Sequence, residues 1–209
     1  SDLLSLINDV LDLSKVEAGK MEVNAAETPV AEVNSSLERS FRAVADEKGL
    51  EFKVEIAPDA PTTIYTDGQR VEQILKNLLS NAFKFTAKGS VGLTVKRPDA
   101  NKRFFQPGLA KGNVIAFAVS DTGMGIPTEK QRLIFEAFQQ ADGTTSRRFG
   151  GTGLGLSISR EIARLLGGEI RVESVPEKGS TFTLFLPLRY RPVAPEAPVQ
   201  SEFHGAVAD

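Results

Sequence analysis

The run Asn77-Leu-Leu-Ser-Asn-Ala-Phe-Lys-Phe85 carries two asparagines one helical turn apart, and Lys84 continues the same side three residues on. At about 100° per residue these side chains flank the apolar positions Val71, Ile74, Leu75, Leu78, Leu79 and Ala82 rather than oppose them. They therefore line the edge of a core, where a ligand could sit. An amide oxygen is a hard, neutral ligand suited to a Mg²⁺ ion that keeps part of its water and bridges phosphates. A lysine adds a point charge for phosphate oxygens. Taken alone, the run is better read as an ordinary polar helix edge.

Two glycine-rich segments follow. In Asp121-Thr-Gly-Met-Gly-Ile-Pro127 the aspartate ends an apolar strand and enters a turn. A carboxylate there can accept from an exocyclic amine such as adenine N6, and Gly123 and Gly125 let a flat base lie against the backbone; an Asx turn is the plainer alternative. In Gly150-Gly-Thr-Gly-Leu-Gly155, residues Gly151, Gly153 and Gly155 precede a helix start, where amide donors and the helix dipole favour phosphate. Arg147 and Arg148 lie just before, in a stretch of small polar residues with the profile of a mobile loop, and could close over a triphosphate or simply be solvated. Phe135 and Phe138 flank its other end, either as burial anchors for the loop or as ordinary core packing. There is no G-x-x-x-x-G-K-[ST] run, and the second segment lacks the spacing and following acid of a dinucleotide fingerprint.

Composition narrows the classes. The 209 residues suffice for one substantial domain with appendages, and 41% hydrophobic with 25% charged residues is ordinary for a globular chain. A net charge of −2 gives no reason to expect nucleic acid or an anionic membrane as partner. With no cysteine, disulfides, thiolate catalysis and cysteine-ligated zinc are excluded. The single histidine, His204, falls in a tail expected to be inert and without fixed structure. No apolar run reaches membrane-spanning length and no signal-peptide pattern opens the chain.

The elements that must position these residues divide as follows. Residues 1–20 read as a helix with a stripe of Leu4, Ile7, Leu11 and Ala18, widened by Leu3 and Val10. One short helix cannot bury that stripe, so it is expected to belong to a helical bundle cut from a longer protein; docking on its own domain is the alternative. Residues 21–190 read as the compact domain and 191–209 as a proline-rich linker. Within the domain we expect a strand at Met21–Ala25, then a helix capped by Thr28, inward through Val33, Leu37, Phe41, Val44 and Ala45, and stopped by Gly49. Strands are expected at 51–56 and 63–66, then the asparagine helix capped by Asp67. Strands 90–96 and 114–120 flank a hairpin loop bearing Phe104 and Phe105, which could pack back on the body. A short helix capped by Thr128 runs to Phe135, a helix spans 154–166, and strands 169–174 and 181–186 close the domain. The pattern gives an α/β (α+β) two-layer sandwich with one mixed, largely antiparallel sheet and helices on one face.

The ordered set N-L-L-S-N-A-F-K-F at 77–85, D-T-G-M-G-I-P at 121–127, F-E-A-F at 135–138 and G-T-G-L-G-L at 151–156 resembles the N, G1, F and G2 boxes of the ATP-binding catalytic domain of two-component sensor histidine kinases, a branch of the GHKL superfamily. The match covers about 28–188. Leu13-Ser-Lys-Val-Glu-Ala-Gly19 and the proline-rich tail resemble hybrid kinases, in which a receiver domain follows. The resemblance implies a GHKL sandwich preceded by the second helix of the dimerisation domain. It implies ATP and Mg²⁺ as ligands, with Asn81 as main metal ligand, Asn77 assisting and Lys84 on the phosphates. It puts Asp121 on the adenine amine with Gly123 and Gly125 beneath the ring, and it includes Phe85 and Ile126 among the nucleotide-binding residues. Arg147, Arg148, Gly151, Thr152, Gly153, Leu154 and Gly155 form the phosphate-facing lid and hinge. The implied reaction moves the γ-phosphoryl group to a histidine on an upstream dimerisation helix, for relay to a response-regulator receiver. The implied parent is a homodimer, with this part cytoplasmic even where the parent is membrane-anchored.

One departure matters. Residues 1–199 hold no histidine, so the chain is expected to bind Mg·ATP without phosphorylating itself. Gyrase B and mismatch-repair ATPases resemble the same site but carry a water-activating glutamate one turn before the metal-binding asparagine; that position is Asn77, and an amide has no useful basicity. A nucleotide-binding pseudokinase and a serine-directed kinase of the same fold are the remaining alternatives.

Overall fold

A computed structural model describes residues 2–109, 112–136 and 154–192. Helix α1 (Asp2–Glu17) leads into strand β1 (Ala26–Pro29), helix α2 (Val30–Lys48), strands β2 (Glu51–Ile56) and β3 (Thr63–Thr66), and helix α3 (Gly68–Phe85). Strands β4 (Ser90–Lys96) and β5 (Val114–Asp121) follow, then two short 3₁₀ turns, helix α4 (Gly155–Leu165), and strands β6 (Glu169–Val175) and β7 (Gly179–Pro187). The main sheet has the order β2-β4-β5-β7-β6, parallel only between β2 and β4. Strands β1 and β3 form a small antiparallel pair. The chain after β7 runs along β3: the Tyr65 amide donates to Leu188 O at 2.9 Å, and the Arg189 guanidinium lies 4.5 Å from the Tyr65 ring centroid.

Strand alternation sorts the sheet residues into two faces. Ile115, Phe117 and Val119 of β5 and Phe182, Leu184 and Leu186 of β7 join the helices in one core. The apolar face of α3, Val71 through Ala82, is buried in full, as its spacing requires. Asp67 caps this helix by accepting from the Arg70 amide at 3.2 Å. Gly49, at φ 64°, turns the chain out of α2 and returns its amide to the Ala45 and Asp46 carbonyls. On the opposite face Val114, Ala116, Phe185 and Leu109 form a second, smaller cluster closed by Phe104.

Four local expectations are corrected. The first strand lies at Ala26–Pro29, not Met21–Ala25. Thr28 is a strand residue, and its hydroxyl donates to Ala26 O and Thr66 O instead of capping a helix; Pro29 precedes α2 with no side-chain cap. Thr128 opens one of two separate 3₁₀ turns (Thr128–Lys130 and Leu133–Phe135), again without a side-chain cap. A Ser or Thr hydroxyl bonds equally well to nearby carbonyls, so local sequence alone does not fix which bond it makes. Helix α1 ends at Glu17, short of residue 20, and the face it packs on the domain is not the expected stripe. Leu6, Leu13 and Val16 pack against the core, and Asp12 accepts from Gln73 Nε2 at 2.9 Å. Leu3, Leu4, Ile7, Val10 and Leu11 remain exposed.

Candidate active site

Asp121 ends β5 on the face that meets the helices. Its cross-strand partner on β7 is Ser180, and the partner of Ser180 on β6 is Ser174. Burial pushes the Asp121 carboxyl above its ordinary value, while the amides of Gly123 and Ser180 oppose the shift. The Gly123 amide donates to Asp121 Oδ1 at 2.9 Å, the local turn expected of an aspartate before glycine. One carboxylate oxygen is thus engaged by the loop that follows it.

That loop is held from three sides. Thr122 Oγ1 accepts from the Ser90 amide at 3.0 Å, tying it to β4. A Cβ at Gly123 would collide with the Phe85 carbonyl at the end of α3, so only glycine allows this approach. Gly125, at φ 70°, presses against the Val175 carbonyl in the β6–β7 turn, where a Cβ would again collide. The Ile126 amide donates to Ser174 Oγ at 2.8 Å, and Gln131 Nε2 donates to Ile126 O at 3.1 Å and to Ser174 O at 3.2 Å. The Glu177 amide donates to Met124 O at 2.6 Å.

Helix α3 supplies the other wall. Asn77 is half-buried, and its Nδ2 donates to Gly155 O at 2.6 Å and to Ser159 Oγ at 2.9 Å. Its amide nitrogen therefore locks α3 to the first turn of α4, and only Oδ1 is left to serve a ligand. Asn81 and Lys84 follow, both half-buried. Burial lowers the Lys84 ammonium below its ordinary value, and its Nζ lies 5.6 Å from the Phe85 ring centroid. Helix α3 thus reaches from the start of α4, at Asn77, to the Asp121 loop, at Phe85. Those eight residues rise about 12 Å, with Asn81 and Lys84 between.

Leu154 is buried and Gly155 opens α4. Arg147, Arg148, Gly151, Thr152 and Gly153, together with Phe138, lie outside the described residues. Phe135 is buried and meets Phe182 edge-on at 6.2 Å between centroids. A polar groove lined by Asp9, Glu72, Gln73, Lys76 and Ile158 lies between α1, α3 and α4 and touches the site only through Asn77. Among the described residues no group of three or more His, Cys, Asp or Glu side chains gathers to hold a metal, so a metal here would rest on amide oxygens and the ligand itself. A neutral amide donor set beside a lysine fits Mg²⁺ carried in on a phosphate. Ser174, Ser180, Gln131 and Ser159 were not expected at the site. Their signal is weak: small polar residues flanking Gly179 in otherwise apolar strands, and loop amides that must find partners somewhere.

Residues 66–190 match a family model described as histidine kinase-, DNA gyrase B- and HSP90-like ATPase. The chain belongs to that family. Over 189 residues it is 38% identical to the autoinducer 2 sensor kinase/phosphatase LuxQ of Vibrio parahaemolyticus, an alignment covering 90% of this chain and 21% of LuxQ. It is 40% identical over 188 residues to hybrid signal transduction histidine kinase B of Dictyostelium discoideum, covering 88% of this chain and 9% of that protein. The crystal structure of full-length ShkA in complex with AMPPNP superposes with a TM-score of 0.75 at 32% identity, covering 92% of this chain and 36% of ShkA. The chain therefore spans about a fifth or less of these two sequence relatives, and its mixed sheet under helices is the fold of GHKL histidine-kinase catalytic domains. The family so described is one of ATPases, and the ShkA structure holds AMPPNP. No helix among the described residues is long and apolar enough to cross a membrane.

Proposed function

We propose that this chain is the catalytic module of a sensor histidine kinase: it binds Mg·ATP and passes the γ-phosphoryl group to a histidine on a separate dimerisation helix. The observation that carries the reading is the half-buried Asp121 carboxylate, fixed by the Gly123 amide where Gly123 touches the end of α3. Its unoccupied acceptor capacity suits the adenine amine, with Gly123, Gly125 and Ile126 beneath the ring. The triphosphate would lie along α3 toward α4. Lys84 offers a point charge, and the first amides of α4 offer donors at a helix N-terminus. Mg²⁺, when bound with the nucleotide through Asn81 and the Oδ1 of Asn77, supplies charge neutralisation. The segment holding Arg147, Arg148, Gly151, Thr152 and Gly153 would cover the phosphates. In the transfer the γ-phosphorus bond to the β-phosphate oxygen breaks, an imidazole nitrogen takes the phosphoryl group, and ADP leaves.

Residues 1–199 carry no histidine, so the acceptor belongs to another segment of the parent. The parent is proposed to act as a homodimer, with the phosphoryl group going on to a response-regulator aspartate, and this module to stand in the cytoplasm. The ATP-hydrolase alternative needs a base where Asn77 stands. The hydrogen bonds of Asn77 to Gly155 and Ser159 give that residue a structural task instead. The test is to supply the histidine-bearing helix and follow phosphotransfer from γ-labelled ATP with and without Asn81→Ala. The expected outcome is labelling of the added histidine, its loss in the variant, and no label on this chain alone. Stable label on this chain without the added helix would refute the assignment.

A further inference from the structure

The tightest ties on the Asp121 loop come from β6 and the β6–β7 turn, which the family motifs do not include. Ser174 Oγ accepts from the Ile126 amide at 2.8 Å and donates to Gly179 O at 3.0 Å. Its single proton is then in use, so the 2.7 Å contact with Ser180 Oγ has Ser180 as donor. Ser174 thus joins three groups: the loop bearing the adenine contacts, the end of the turn, and the strand residue directly across from Asp121. Gln131 repeats the tie by bridging the carbonyls of Ile126 and Ser174. The turn reinforces it, since Gly125 and Met124 rest on Val175 and Glu177, and Glu177 itself is held at φ 64°.

We propose that Ser174 is a positioning residue for the purine. By fixing the Ile126 amide relative to Ser180 it sets the height of the 122–126 loop over the base, and with it the reach of Asp121 to an exocyclic amine. This rests on the adenine-binding reading of Asp121. Guanine presents a carbonyl where adenine presents the amine, so a correctly set Asp121 accepts from adenine and repels guanine. A loosened loop loses that distinction.

The test is calorimetric titration of this chain with ATP and with GTP, comparing wild type, Ser174→Thr and Ser174→Val. Threonine and valine have nearly the same shape, so only the hydroxyl differs between them, and both suit a strand. Ser174→Thr is expected to keep the wild-type ATP affinity. Ser174→Val is expected to bind ATP about tenfold more weakly and to show a smaller ATP-over-GTP ratio, because the Ile126 amide loses the hydroxyl that positions it. A role confined to fold stability would lower the melting temperature of Ser174→Val and leave both affinities of the folded protein unchanged, which overturns the inference. If Ser174→Val fails to fold, Gln131→Ala removes the parallel tie and is expected to reduce the same ratio; an unchanged ratio there overturns the inference too. Wild-type protein that binds no ATP at millimolar concentration overturns the adenine reading itself, a result separate from equal binding by wild type and Ser174→Val.

Discussion

Asp121 is the residue on which chemistry and stability pull in opposite directions. Burial raises its pKa above the ordinary 3.8, so the folded chain holds a proton that the unfolded chain has already released. Its contribution to folding is therefore most favourable at low pH. It falls as pH rises between the ordinary and the raised value, and stays unfavourable above that window. The proposed adenine contact has the reverse dependence, because the ionised oxygen is the better acceptor for the amine. ATP affinity should rise with pH through the same window. Asp121→Asn removes the charge penalty and the charged acceptor together. We expect a melting temperature at pH 7 equal to or above wild type, with ATP affinity about 10- to 100-fold weaker by calorimetry. Lys84 carries the complementary sign: its lowered pKa means that deprotonation at high pH removes the charge proposed to meet the phosphates more readily than at an exposed lysine.

At the level of elements, glycines that look alike in sequence do different work. Gly49 ends α2 in the left-handed region with open space around it, so Gly49→Ala meets only the backbone preference and should destabilise by about 1 kcal/mol. Gly125 shares that region, but a Cβ there runs into the Val175 carbonyl. Gly125→Ala must shift either the loop or the β6–β7 turn, and should destabilise by more than Gly49→Ala and weaken ATP binding as well. Urea denaturation of both variants, with nucleotide titration, separates the two cases: Gly49→Ala is expected to leave ATP affinity at the wild-type value. Helix α3 similarly combines two tasks, a buried apolar face and the polar flank Asn77, Asn81 and Lys84.

Across the whole molecule the sheet divides function from support. The proposed nucleotide site lies on the face that meets α2, α3 and α4, while residues 97–109 fold over the other face. There Glu169, nearly buried, accepts from the Phe105 amide at 2.8 Å, the Gln106 amide at 3.2 Å and Arg171 Nε at 2.8 Å. Phe104 meets Phe185 edge-on at 5.0 Å, and the Arg171 guanidinium lies 5.2 to 5.9 Å from the rings of Phe104, Phe105 and Phe185. Glu169→Ala takes the acceptor from two loop amides and from Arg171 Nε, and should lower unfolding free energy by about 2 kcal/mol. Because this lid lies away from Asp121, ATP affinity should stay at the wild-type value; a parallel loss in calorimetry would show that the two faces are coupled.

Local signals determined much of this protein without help. Helix α3 with its cap at Asp67, the stop at Gly49 and the strand segments after it are legible because each depends on neighbours within a few residues. Phe104 and α1 were only half legible: an apolar residue announces that it will be buried, but not against what. Thr28 and Thr128 misled because a hydroxyl has several backbone partners within reach, and strand pairing with Thr66 decided for the first. The tertiary structure alone brought Asn77 to Gly155, Ser174 to Ile126 and Gly123 to the Phe85 carbonyl, pairs separated by 78, 48 and 38 residues along the chain. Such contacts arise from packing of distant surfaces, whose geometry no local pattern encodes.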